Sequence, residues 1–402
     1  MPRNPNNLST DLHGAGRLTI DAIVGITHMV ESLHHIITSL SGILGPSDEN
    51  RTRGITGMVY RNIRTVTQKV GGGIGFLLDR PGSIPGKKDV ISSPRREALL
   101  SALNGVLGDH LVAAGNPLAV SMQFRRNGKP LNEETLLDTI QQSDGKIVIM
   151  VHGSCMNDLQ WNRQEHDHGA ALARDLGFTP LYIHYNTGLH ISENGRKFSD
   201  LLERTIAQSG KPITLFIVAH SMGGLVSRSA CHYGKTSGHT WMNHLKKLVF
   251  LGTPHHGAPL EKCGNWIDKI LEISPYSAPF SHLGKIRSCG ITDLRYGSVL
   301  ENDWKGCDRF KVRGDQRNPV PLPEGVACYA IAASTGIKRN KLKNAFVGDG
   351  LVTTNSALGL HKNAEFNLSI PQTHQWVGRN MNHMDLLSHP KVYETIKEWL
   401  KT

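Results

Sequence analysis

The stretch Ile213-Thr214-Leu215-Phe216-Ile217-Val218-Ala219-His220-Ser221-Met222-Gly223-Gly224 decides the reading of this chain. Ile213 to Val218 is a run of β-branched and aromatic residues, which favours a strand. Leu225-Val226-Ser227-Arg228-Ser229-Ala230 follows and can continue as a helix. Ser221 stands between them, at the tip of a tight turn. A strand that turns sharply through a serine into a helix is the context a nucleophile elbow requires. The turn strains the serine backbone, so the residues two positions away on either side must be small. Ala219 and Gly223 meet that limit, although glycine is the usual residue at the first of these positions. The plain alternative is a strand-to-helix turn that happens to carry a serine. A base, an acid and an oxyanion hole elsewhere in the chain decide between the two.

A chain of 402 residues suits one large α/β domain with an attached segment, or two domains. Hydrophobic residues at 39% and charged residues at 20% fit a soluble globular protein. The formal net charge of +11 is compatible with an anionic membrane, nucleic acid or an acidic partner. No basic-aromatic module of the nucleic-acid-binding kind is visible, so nucleic acid is not an expected partner. The six cysteines, Cys155, Cys231, Cys263, Cys289, Cys307 and Cys328, form no C-x-x-C pair, which excludes zinc-ribbon and thioredoxin readings. Cys289 and Cys307 could bridge if the chain is exported. The polar start, Met1-Pro2-Arg3-Asn4-Pro5, leads into no signal-type core, and no apolar run reaches the ~20 residues that span a bilayer. A cytoplasmic protein is the default expectation.

Residues 18–44 carry an apolar stripe at helical spacing, through Ile23, Ile26, Val30, Leu33, Ile37 and Leu40. A second amphipathic stretch has Ile55, Met58, Val59, Ile63, Val66 and Val70 on one face, with Arg51, Arg53, Arg61, Arg64 and Lys69 and no acid over residues 51–69. A basic amphipathic helix suits either an anionic membrane surface or a solvated face of its own domain. Peripheral membrane contact through residues 18–70 is therefore an expectation to test. Residues 80–94 read as a linker, and a third helix is expected from about Pro94 to Ala114. The organisation expected is a basic helical extension over residues 1–115 and an α/β domain over residues 116–402.

Val120 to Arg125 alternates and runs into Asn127-Gly128, a hairpin signal. From Lys146 the rhythm becomes strand then helix. Expected strands are Lys146–His152, Pro180–Tyr185, Ile213–Ala219, Lys247–Gly252, Val326–Ala332 and Ala364–Ile370, with helices at Phe198–Gln208 and Val392–Leu400. Such alternation implies a mostly parallel sheet with helices on both faces. Residues 253–325 interrupt it with scattered aromatics, glycines and prolines. They are expected to form a lid or cap, because so long a loop within a compact domain usually has a function or its own structure.

A serine hydroxyl needs a general base within reach, and the base needs an orienting acid. In α/β-hydrolases these follow in the order Ser, Asp or Glu, His. Gly348-Asp349-Gly350 places a carboxylate between small residues after a late strand. Met381-Asn382-His383 follows the last expected strand and precedes the terminal helix. Ser221, Asp349 and His383 are thus the expected nucleophile, acid and base. His361, His374 and His389 compete for the base, and Asp385 competes less well for the acid, being too near His383 in sequence. The oxyanion hole needs two backbone N–H groups. Met222, after the nucleophile, is expected to supply one. Ser154, in the Val151-His152-Gly153-Ser154 end of an early strand, is expected to supply the other.

The set Val151-His152-Gly153-Ser154, Ala219 to Gly224, Leu251-Gly252-Thr253-Pro254-His255-His256-Gly257, Gly348-Asp349-Gly350-Leu351-Val352 and Asn382-His383 resembles the lipase branch of the α/β-hydrolase superfamily. It is similar to bacterial triacylglycerol lipases and to GPI inositol-deacylase-like esterases. The resemblance covers roughly residues 120–400. It implies an α/β-hydrolase fold, an ester or lipid substrate, hydrolysis through an acyl-enzyme and no cofactor. An acyltransferase or a polyester depolymerase would use the same residues. A reading of another class is a non-catalytic, membrane-associated scaffold whose operative part is residues 18–70. His166-Asp167-His168 and His255-His256 raise the question of a metal, but no set matches a metal site by spacing, and none is expected.

Overall fold

A computed structural model describes residues 16–17, 94–257, 288–308, 314–336 and 348–401. The helical readings at 18–44 and 51–70, and the linker reading up to residue 93, lie outside the described residues. By packing, the chain divides into residues 1–93 with 111–119, and residues 94–110 with 120–402. In the first unit the described chain turns after a helix: Asn116 N donates to Leu111 O at 2.8 Å, and the Arg17 guanidinium donates to Gly115 O at 3.0 Å.

The second unit begins at Pro94, the first residue of helix α1, Pro94–Ala113, earlier than the expected boundary at residues 115 and 116. Side chains explain why residues 94–110 go with the sheet. Glu97 is buried and accepts from Arg125 at 2.6 Å. Gly108 O accepts from Asn186 at 3.0 Å, and Gly105 O from Ser288 at 2.6 Å.

The sheet of this unit is built from β1, Gln123–Arg126; β2, Lys129–Pro130; β3, Lys146–Val151; β4, Thr179–His184; β5, Thr214–His220; β6, Leu245–Leu251; β7, Ala327–Ser334; and β8, Gln375–Arg379. The order is β2-β1-β4-β3-β5-β6-β7-β8. The hairpin at Asn127 and Gly128 makes β1 and β2 antiparallel, and β1 is antiparallel to β4. Every later pairing is parallel.

The central strands are apolar on both sides, as parallel strands covered on both faces must be. Ile147, Ile149 and Val151 of β3 and Leu215, Ile217 and Ala219 of β5 enter one core. Val148, Met150, Phe216 and Val218 enter the other. Helices α2, Glu133–Gln141; α4, Ile191–Ser209; and α5, Met222–Thr236, cover the first face through Ile140, Phe198, Leu202 and Leu225. Helices α3, His168–Leu176, and α7, Pro390–Leu400, cover the second through Leu172, Val392 and Ile396. Each such side chain stabilises the fold by roughly 1.5–3 kcal/mol on burial. Among the described residues no helix is long and apolar enough to cross a membrane.

One expected strand is absent. Ala364–Ile370 forms no strand; its start, Ala364–Phe366, is a 3-10 turn capped by Asn363, whose Oδ1 accepts from Glu365 N at 3.1 Å. Leu368 and Ile370 still bury, but as loop residues on the core. The last strand is β8, whose Gln-Trp-Val-Gly-Arg sequence has weak strand propensity and is set by its register against β7. Within the expected lid, residues 258–287 and 309–313 lie outside the described residues. The described part contains a short helix α6, Cys289–Asp293, whose buried Asp293 accepts from Ile191 N at 2.8 Å and from His190 at 3.0 Å.

Candidate active site

From β3 the chain proceeds to β4 on one side and later to β5 on the other, so the order reverses between β3 and β5. Ligand crevices of open α/β sheets form at such a point, beyond the carboxyl ends of the strands. Val151 is in register with Ala219, so the loop from Gly153 and the turn at Ser221 leave the sheet side by side. A Cβ placed on Gly153 would lie 3.0 Å from Ser221 Cβ.

Ser221 has φ 54° and ψ −123°, outside the regions an L-residue prefers, and its N–H donates to Leu251 O at 2.8 Å. Strain of this kind costs about 1–3 kcal/mol and persists where the surroundings enforce it. Enforcement is visible at Gly223, where a Cβ would press on Val151 O and sit 2.6 Å from His152 O. Met222 begins α5, so its N–H has no acceptor within the helix. Ser154 is buried, and among the described residues its N–H has no acceptor. The next peptide is pinned, because Cys155 N donates to Thr187 Oγ1 at 3.1 Å.

Asp349 follows β7 and His383 follows β8. Met381 N donates to Ser334 O at 3.1 Å, which ties the start of the histidine loop to the end of β7. His383 Nδ1 donates to Asp349 Oδ2 at 2.7 Å, with both residues 3% exposed. Asp349 Oδ1 accepts from Leu351 N at 3.0 Å and Val352 N at 2.8 Å, so both carboxylate oxygens are occupied. A Cβ on Gly252, at the end of β6, would lie 3.0 Å from His383 Cε1. The His383 ring thus stands beside the strand ends that carry Ser221. Its Nε2 is buried and has no hydrogen-bond partner among the described residues, Ser221 Oγ included. In serine hydrolases that bond often tightens only when substrate is bound.

The competing groups are engaged elsewhere. His374 Nδ1 donates to Cys328 O at 3.1 Å, His389 caps α7 at Lys391 N, and His361 sits in an exposed turn at Asn363. Asp385 accepts from Asn382 N at 2.8 Å within its own loop. Asp167 caps α3 and accepts from Tyr182 at 2.6 Å, while His166 and His168 bond to each other at 2.8 Å. His255 and His256 are held by buried Arg228 and Arg317. No group of three or more histidine, cysteine or carboxylate side chains is arranged for a metal among the described residues. A groove of about 420 Å³ between the end of α5 and residues 320–324 contains none of Ser221, Asp349 or His383.

Two histidines that the motif reading gave no role touch this site. His220 Nε2 donates to His383 O at 3.3 Å, and the two rings are 4.7 Å apart. Burial, and then the neighbouring His383, push His220 well below the usual histidine range. His220 therefore stays neutral and adds no charge beside His383. His152 donates from Nδ1 to Gly153 O at 2.9 Å and stacks on Tyr185. Both lie in the quoted motifs, but only tertiary contacts reveal what their rings hold.

The strand order and the strained serine at the end of β5 define an α/β-hydrolase fold. Residues 142–317 match the family model described as the PGAP1-like alpha/beta domain. That match includes Ser154, Ser221 and Met222 and ends before Asp349 and His383. No curated protein matches the chain. Among solved structures it is similar to the mature lipase BlEst2 of Bacillus licheniformis at 16% identity and a TM-score of 0.43, covering 65% of this chain and 94% of that one. It is similar to lipase B of Aspergillus fumigatus at 11% identity and a TM-score of 0.41, covering 97% and 81%. A thermostable carboxyl esterase of Bacillus coagulans, solved with glycerol, gives 13% identity and a TM-score of 0.34 over 64% and 89%. At such scores the fold assignment rests on the strand order and the elbow.

Proposed function

We propose that the protein is a serine hydrolase of carboxylic esters that works through an acyl-enzyme on Ser221. The observation that carries this reading is the buried 2.7 Å bond between His383 Nδ1 and Asp349 Oδ2, beside a serine held at positive φ. The carboxylate fixes the Nδ1–H tautomer and leaves Nε2 as the base. As Ser221 Oγ bonds to the ester carbonyl carbon, Nε2 takes the hydroxyl proton. The developing oxyanion is held by the N–H groups of Ser154 and Met222. The tetrahedral intermediate collapses with cleavage of the ester C–O bond, and His383 returns the proton to the departing alcohol. Water then attacks the acyl-enzyme by the same route, releasing the acid and free Ser221. These groups supply the whole reaction, so the proposal includes no cofactor.

A fluorophosphonate probe tests the proposal. Labelling of the wild type and not of Ser221→Ala is expected; a folded wild type that does not label in buffer or with liposomes overturns it. A p-nitrophenyl ester series of increasing chain length, read beside a triglyceride emulsion, then defines the acyl preference. A cytoplasmic location with peripheral membrane contact through residues 18–70 belongs to the same proposal. It is checked by fractionation and by flotation with anionic liposomes. Replacement of Arg51, Arg53, Arg61, Arg64 and Lys69 by glutamate should abolish flotation, and unchanged flotation would refute the contact.

A further inference from the structure

We infer that His152 is a positioning residue that aims the oxyanion donor, an inference that rests on the esterase reading of Ser221. The Gly153 carbonyl and the Ser154 N–H belong to one peptide unit. A trans peptide is planar, with its N–H pointing opposite its C=O, so whatever fixes the carbonyl fixes the direction of the N–H. His152 Nδ1 lies 2.9 Å from Gly153 O, and both residues are buried. A carbonyl only accepts, so Nδ1 carries the hydrogen.

His152 is itself held twice by Tyr185. It stacks on Tyr185 with centroids 4.4 Å apart, and the Tyr185 hydroxyl donates to His152 O at 2.8 Å. His152 Nε2 is buried with no partner among the described residues, so no competing bond turns the ring away. Burial pushes its pKa down to about 4, which keeps the imidazole neutral near pH 7. On the far side of Ser154, Cys155 N is tied to Thr187 Oγ1 at 3.1 Å. The peptide that carries the Ser154 N–H is therefore clamped at both flanks, and a Cβ on Gly153 would lie 3.0 Å from Ser221 Cβ.

A donor aimed at the oxyanion contributes in the transition state and little to the bound ester, so its misalignment lowers kcat and leaves KM nearly unchanged. Asparagine and leucine at position 152 both branch at Cγ, and only the amide offers a donor where Nδ1 stood. Loss of an oxyanion donor outright costs 10²–10³-fold, so a tilted one is expected to cost about 30-fold.

The test compares the full-length wild type with His152→Leu and His152→Asn, using a p-nitrophenyl ester, fluorophosphonate labelling rate and the Ki of a trifluoromethyl ketone. His152→Leu is expected to lower kcat and labelling rate by about 30-fold. It should weaken the ketone in proportion and leave KM within about threefold. His152→Asn is expected to keep kcat within about tenfold of wild type. Equal kcat in wild type and a folded His152→Leu overturns the role of His152 alone, because the wild type still labels. A wild type that does not label overturns the esterase reading and this inference with it. If His152→Leu melts below the assay temperature, the three proteins are compared at a temperature below its midpoint, where a folded His152→Leu with wild-type kcat overturns the role and one that loses about 30-fold while His152→Asn does not supports it.

Discussion

Asp349 and His383 are joined twice. His383 Nδ1 donates to Asp349 Oδ2 at 2.7 Å, and His383 N donates to Asp349 O at 3.2 Å. The backbone bond sets how far the two loops approach, and the side-chain bond sets the tautomer. Asp349 Oδ1 is meanwhile occupied by the N–H groups of Leu351 and Val352, so the carboxylate has one orientation.

That orientation predicts the effect of Asp349→Asn. The amide oxygen will keep the two backbone N–H groups, which turns the amide nitrogen toward His383 Nδ1. Two donors cannot share that contact, so the imidazole must carry its hydrogen on Nε2, where the base is needed. A fall in kcat of about 10⁴ is expected, as for the same change in other triads, with the fold retained. A folded variant within tenfold of wild type would contradict the assignment of Asp349.

Gly223→Ala should disturb the elbow itself. The added methyl meets the carbonyls of Val151 and His152, and neither can swing aside as a flexible side chain would. Relief requires α5 to move from β3, at a cost of about 1–3 kcal/mol. A lower thermal midpoint together with loss of fluorophosphonate labelling is expected. Unchanged stability and labelling would mean that the helix is not packed against β3 as described.

The buried imidazoles set the response to acid. Burial holds His152 at about 4 and His168 at about 3, and it holds His184, His220 and His255 well below 6.5. Each is neutral in the fold and takes a proton more readily once unfolded. The unfolded chain therefore binds more protons between about pH 6.5 and about pH 4, and stability is lost as pH falls through that window. Asp158 and Asp293, raised by burial, act in the opposite sense just above the ordinary carboxyl range. Five imidazoles against two carboxyls make the net effect a loss. The urea midpoint should drop between pH 7.5 and pH 5, and a flat profile would sink this prediction.

Arg125 separates a buried ion pair from a surface one. Its guanidinium lies 2.6 Å from Glu97 and 3.3 Å from Asp158, with all three side chains nearly inaccessible. Arg125→Met removes the cation shared by two buried carboxylates, leaving Asp158 without it and Glu97 with Arg96 at 3.3 Å, and should cost on the order of 3–5 kcal/mol. Lys401→Met removes an exposed partner of Glu398 and should leave the urea midpoint nearly unchanged. Comparable urea midpoints for the two variants would refute the distinction.

The elbow was legible because its requirements are local. A β-branched run, a serine and small residues at 219 and 223 report themselves in order along the chain. Strands β3 to β7 were legible for a related reason: strands buried on both faces must be apolar throughout. Strand β8 was not, since Gln375 to Arg379 has little propensity of its own and is held by the edge of β7. The buried residues Leu368 and Ile370 suggested a strand nearby because burial alone does not distinguish a strand from a loop laid on the core.

By itself the sequence determined the residue types of the candidate site and their order, Ser221, Asp349, His383, with Ser154 and Met222 placed by their motifs. Those statements need only local backbone chemistry and the alternation of strand and helix. The tertiary structure alone decided which of several histidines faces Asp349, that both of its carboxylate oxygens are occupied, and that the rings of His152 and His220 grip Gly153 O and His383 O. Such contacts depend on strands paired across large separations in sequence, and a linear pattern carries no record of which loops those pairings bring together.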